Sequence, residues 1–243
     1  MQPFLSTPKE VCDFACFLIS KDFMQARNPF SVKPLPLDDL PKAKKTQDGV
    51  KHSIDCMPDI HYERDTAYHT PRHYYATAAF ALALGQFNRL DIDDLDLLVT
   101  TALVHDFGYK LLIKDAVSQI EETHIAFACG LNVAPILDLD AMQNLNTATR
   151  YENRAALHDT ISLCLSDADV MQSCLTPENY AVETALLERE IGKTIQSGFL
   201  GSVGTMRSCF SGSAMHPLEA MCMVTQMQAS VKKVAESSEE MIA

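Results

Sequence analysis

Apolar residues recur along this chain at spacings of three and four, the helical period, and β-branched residues rarely alternate as a half-buried strand requires. Ser6 or Thr7 followed by Pro8 marks a helix start, after which Val11, Phe14, Ala15 and Leu18 share one face until Asn28-Pro29 ends the run. Four prolines between Pro29 and Pro41 force an extended or turned path. The polar, mixed stretch from Lys42 to Asp65 reads as a long loop with at most a short helix. Thr70-Pro71 then opens a helix to about Phe87, with Thr as cap and Pro in the first turn. Asp91 to Asp94 opens the next, which carries the apolar run Leu97 to Val104 into His105-Asp106 and stops near Gly108.

Further helices are predicted over Lys114 to Gly130, Asp138 to Thr149, Arg154 to Cys174 and Pro177 to Ile195. Gly198, Gly201 and Gly204 break the chain, and Pro217 opens a last amphipathic helix bearing Leu218, Met221, Cys222 and Val224. The expectation is an all-α protein: an N-terminal helix (1–28), a Pro-rich linker and long loop (29–67), a core (68–175), and C-terminal helices packing on that core (176–243).

Composition narrows the class. The length of 243 residues suits one domain with appended helices, and 47% hydrophobic residues suffice for a sizeable core. Apolar stretches fall short of the roughly 18–20 residues that cross a bilayer, and the first residues lack the pattern of a signal peptide, so a soluble cytoplasmic protein is expected. A net charge of -12 argues against a nucleic acid polymer as partner, because phosphate backbones attract basic faces. It is compatible with a small anionic substrate at a metal-centred pocket. The eight cysteines include no Cys-x-x-Cys, which points to buried free thiols and not to a zinc ribbon.

The candidate chemistry is histidine and carboxylate. His105 and Asp106 offer an imidazole nitrogen and a carboxylate oxygen from one turn of backbone, a compact half-site for a divalent metal. Upstream stand His69 and His73, one helical turn apart. Downstream lie His124, a second His-Asp pair at His158-Asp159, and the competing carboxylates Asp167 and Asp169. Two residues apart on a helix, those carboxylates point in different directions, so only one should reach a given site. A histidine on an uninterrupted helix with Asp169 at the His158 position would sit about 16 Å away, which places His158 outside the same metal shell. Arg72 and Lys110 adjoin candidate ligands and are the cations expected to meet a phosphate. His52, His61 and Arg64 lie on the predicted loop and are candidates to close over the site.

The ordered series His73, then His105-Asp106, then Ala168-Asp169 resembles the HD superfamily of metal-dependent phosphohydrolases, over roughly Tyr68 to Gln172. That resemblance implies an HD-type helical bundle in which His73, His105, Asp106 and Asp169 hold a divalent transition metal (Mn, Fe, Co, Ni or Zn). It selects Asp169 over Asp167, which is left as a solvated or supporting group. Tyr68-His69-Thr70-Pro71-Arg72-His73 is similar to the Tyr-His-Asn-x-x-His of cyclic-nucleotide phosphodiesterases, with Thr70 in place of Asn. By that likeness His69 is the general acid for the leaving oxygen, and Asp106 or Asp169 orients a water. The chain departs from those enzymes at Tyr109, where a further His is usual, and in its short interval from Asp106 to Asp169.

The implied activity is hydrolysis of a small phosphoester, a nucleotide or cyclic nucleotide, by a protein that works without a membrane and is compatible with a homodimer. His124, before the small residues Ala126 and Ala128, matches a position that ligates a second ion or lines the pocket in HD proteins. Two other classes stay open: an HD-type di-iron oxygenase, which needs His124 and one more His as ligands, and a non-catalytic signalling or interaction module.

Overall fold

The computed structural model describes residues 39–61, 67–109, 121–150, 153, 156–171 and 177–192. Among these the regular structure is helical, without a strand, as an all-α protein requires. The elements are α1 (Pro41–Cys56), α2 (Pro58–His61), α3 (Pro71–Phe87), α4 (Ile92–Val104), α5 (Glu121–Gly130), α6 (Leu139–Asn146), α7 (Thr160–Met171) and α8 (Pro177–Ile191). Short 3-10 turns at Ile136–Asp138 and Thr147–Thr149 flank α6. The predicted N-terminal helix, the helix after Pro217 and the glycine break at 198–204 lie outside the described residues.

The centre of the fold is α4. Asp91 caps it, accepting the backbone N–H of Asp94 through its side chain (2.9 Å). Leu95, Leu98, Val99, Ala102, Leu103 and Val104 are buried, together with Thr100 and Thr101, so the helix is covered on every side from Leu98 onward. α3 lies against it, equally enclosed, with Tyr74, Ala76, Phe80, Ala81 and Leu84 in the core, and α7 packs along α3. The alanine-rich sequence of α3 permits this close approach, since Ala combines high helix propensity with little bulk.

The stretch from Lys42 to Asp65 corrects the loop expectation, because Pro41–Cys56 is a helix of 16 residues packed on α4. Its buried face is Ala43, Thr46, Val50 and Ser53, a helical stripe containing a single large apolar residue. The helical period is present along this stretch, but its residues are polar on average, which gives it the composition of a loop. Buried Asp96 of α4 starts α1, accepting the N–H groups of Lys42 (3.1 Å) and Ala43 (2.8 Å). A Cβ at Gly49 would stand 2.7 Å from the Val133 carbonyl oxygen, so the backbones meet there without room for a side chain.

Two boundaries also differ. α7 begins at Thr160, because Asp159 takes the cap and accepts the Ser162 N–H (2.8 Å). α8 ends at Ile191, where Gly192 adopts φ +66. Residues 110–120 lie outside the described set, so α5 is described only from Glu121.

Candidate metal centre

Three elements meet at one point. His73 comes from the first turn of α3, His105 and Asp106 from the turn that ends α4, and Asp169 from α7. Their ligating atoms all lie within 4.8 Å of one another. His105 Nε2 stands 2.9 Å from Asp106 Oδ2 and 3.3 Å from Asp169 Oδ1. His73 Nε2 is 3.3 Å and 3.2 Å from the same two oxygens, and the two Nε2 atoms are 3.1 Å apart. Bonds of about 2.1 Å to one ion put neighbouring ligand atoms about 3.0 Å apart in an octahedron and about 3.4 Å apart in a tetrahedron. The five measured separations fall in or beside that range, so the group can hold a metal ion.

Charge agrees with distance. Burial disfavours imidazolium at His73, yet hydrogen bonds to Asp106 and Asp169 outweigh it and raise the pKa. At His105 burial is likewise overcome, chiefly by the charge of Asp106, and the pKa stands well above its ordinary value. Burial would raise Asp106, but the charges of His105 and His69 hold its carboxyl well below the usual range. Two carboxylates facing two imidazoles thus attract two positive charges, supplied either by protons or by one divalent cation. The histidine side chains are 1% exposed and the carboxylates 14–15%, so the open side of the group is acidic.

The surroundings fix the ligands. His105 Nδ1–H donates to the Ala102 carbonyl (2.8 Å), which leaves the Nε2 lone pair for the centre. Fully buried Asn146 of α6 donates its amide to the His105 carbonyl (3.0 Å). Gly108 turns the chain after the His-Asp pair with φ +72, and the Phe127 ring lies 2.5 Å from where a Cβ would stand.

His69 sits beside the group without joining it. Its Nε2 is 3.7 Å from Asp106 Oδ2, beyond hydrogen-bond range. Its Nδ1–H donates to Glu190 Oε1 (2.5 Å), while Glu190 Oε2 accepts three successive backbone N–H groups, of Ala67 (3.0 Å), Tyr68 (2.7 Å) and His69 (3.1 Å). Burial would raise the Glu190 pKa, but those bonds and the charge of His69 lower it to about 2. Sequence reasoning missed Glu190, which is 121 residues from His69 and carries no local motif.

The other candidates are placed as follows. His124 is buried near the group, donates Nδ1–H to the Phe107 carbonyl (3.1 Å), and has a pKa lowered by burial. Arg72 forks onto buried Glu183, with bonds of 2.6 and 2.8 Å from its two terminal nitrogens. Asp167 is fully buried, which removes the solvated alternative of the two expected for it and leaves the supporting one: it falls in the run 163–168 that α7 turns inward. His158 precedes α7, is exposed and is not among the four grouped residues. The expected closure over the site does not match His52 or His61. His52 is exposed on α1, and His61 is buried against Ser53, Tyr74 and Phe107. Lys110 and Arg64 lie outside the described residues.

Among the described residues no helix is long and apolar enough to cross a membrane. Cys129 and Cys164 are buried free thiols, and Cys56 is exposed. No protein-family model matches this chain, and comparison with curated proteins finds no similar sequence.

Proposed function

We propose that this protein is an HD-type metal-dependent phosphohydrolase acting on a small phosphoester, a nucleotide or cyclic nucleotide. The observation that carries the reading is the convergence of His73, His105, Asp106 and Asp169, with His69 Nε2 beside Asp106. A divalent transition ion bound by those four residues would supply Lewis acidity to a phosphoryl oxygen. His69 presents Nε2 to the centre because Nδ1 is bound to Glu190; as the doubly protonated ring it would give its Nε2 proton to the leaving oxygen and keep the Nδ1 proton on Glu190. Glu190 sets the ring's tautomer and orientation. Asp106 and Asp169, at the open side, orient the attacking water.

The test begins with metal content in protein prepared without added metal, then turnover on a panel of nucleotides and cyclic nucleotides with Mn²⁺ and with Fe²⁺, with O₂ uptake followed in parallel. Phosphate or nucleotide release with manganese and without O₂ uptake is the expected result. Iron-only activity with O₂ consumption and two irons per chain would replace the hydrolase with a di-iron oxygenase. Binding of no metal would leave a non-catalytic module.

A further inference from the structure

Two histidines near the centre, His69 and His124, are not among its four ligand residues. His69 Nε2 lies 3.7 Å from Asp106 Oδ2, and buried His124 is bonded to the carbonyl of Phe107, the residue that follows Asp106 (3.1 Å). Between them stands Tyr109. Its ring is stacked on His69, with centroids 3.7 Å apart and planes 19° apart. It is also nearly parallel to His124, at 5.7 Å and 11°. The three rings therefore form a layered stack with the phenol in the middle.

The comparison within the site is His73 with His105. Those rings converge on the centre with centroids 4.9 Å apart and planes 62° apart, which brings their Nε2 atoms to 3.1 Å. An aromatic ring inserted between His69 and His124 prevents that convergence. Each histidine is also fixed by its Nδ1, His69 on Glu190 and His124 on the Phe107 carbonyl, so neither ring swings round the phenol without breaking a buried bond. Tyr109 itself is held in register by the turn after Asp106: its N–H donates to the Asp106 carbonyl (3.1 Å), and Gly108 before it packs against Phe127.

We propose that Tyr109 is a wedge that restricts this centre to one divalent cation, by keeping His69 and His124 from converging beside Asp106. The inference rests on the metal-centre reading above and adds the number of ions to it. A second ion in a shared site lies about 3.5–4 Å from the first and needs its own donors. The two histidines that would supply them are separated by the phenol ring. Replacing Tyr109 by histidine removes bulk and adds a donor at the same place.

The experiment is Mn²⁺ titration of the metal-stripped full chain, read by isothermal calorimetry and by Mn²⁺ paramagnetic resonance. Wild type and Y109F are expected to bind one ion per chain, with an uncoupled six-line-type signal. Y109H is expected to bind two, with the signal of an exchange-coupled pair, and H124A added to Y109H should return the count to one. Y109A, which removes the wedge without adding a donor, checks the case in which Y109H fails to fold, and should gain a weaker second binding step. Two ions in wild type, or one ion with unchanged affinity in folded Y109H or Y109A, would overturn the wedge. No ion bound in wild type would instead overturn the metal centre itself.

Discussion

Glu190 joins backbone, ring and helix at one carboxylate. It gathers three backbone N–H groups and the His69 imidazole, and its side chain is 2% exposed. Glu190→Gln keeps the shape but removes the charge that orients and supports His69. Turnover should fall at least about 10-fold in E190Q and about 10²–10⁴-fold in His69→Ala, with Mn²⁺ affinity retained in both. Steady-state kinetics beside metal titration checks this. Equal loss of metal would show that both residues serve the fold alone. Asp169→Ala should do the opposite and abolish tight metal binding, because it removes one of four ligands from α7. Arg72→Ala belongs to a third kind. It leaves Glu183, 1% exposed, without its fork, so the expected effect is a stability loss of about 3–5 kcal/mol in urea unfolding and not a selective loss of substrate affinity.

At the scale of elements, α1 depends on Asp96. The carboxylate caps the helix across the interface with α4, at its Lys42 and Ala43 N–H groups. Asp96→Ala removes two acceptors from buried or half-buried donors, for an expected cost of about 2–4 kcal/mol. Urea unfolding together with hydrogen exchange across 41–56 distinguishes local from global loss. α1 should lose protection before α3 and α4 do, since α4 is enclosed by other neighbours as well. Equal protection of all three helices in D96A would refute this order. The elements also show why boundaries were read unevenly. Thr70-Pro71, Asp91 and Pro177 are start signals written locally, and α3, α4 and α8 begin where those signals stand. α1 also opens on a proline, Pro41, and has a helical period, but it is polar on average and half of its buried stripe is Thr46 and Ser53, so its composition is that of a loop.

For the whole molecule, pH and metal are the two levers on stability. Burial pushes the pKa of His61 from 6.5 down to about 4, so the folded protein keeps it neutral in water near pH 7. Its folded pKa lies below its unfolded one. The stability tied to the neutral ring is therefore full above about pH 6.5 and is lost as pH falls toward 4. Between pH 7.5 and 5 this amounts to about 2 kcal/mol, seen as a fall in unfolding midpoint that His61→Asn should largely abolish. A pH response unchanged by that substitution would assign the proton uptake elsewhere. Metal acts in the other direction. An ion at about 100 times its Kd adds about 2.7 kcal/mol to the folded state, or about 5–10 °C in Tm for a chain of this size. That gain should disappear on chelation and in Asp169→Ala.

The sequence by itself determined the all-α class and the starts of several helices, because helical period and caps are written within a few residues of each other. It also pointed to the four residues that the fold gathers into a group able to hold a metal ion, since the His-Asp pair is local and the others follow in an order resembling a known series. Tertiary structure decided what surrounds them. Only the packing of α8 against the 67–69 turn brings Glu190 to His69, and only the Gly108 turn lays Tyr109 between His69 and His124. Arg72 meets the carboxylate of Glu183, 111 residues away, a partner that no local pattern announces. Asp167, read as a solvated or supporting group, is buried because α7 turns both sides of that run inward. The division has one physical cause. A ligand type and a helix start depend on the residue and its near neighbours, whereas the partner of a charge or a ring depends on which distant surface the fold brings against it.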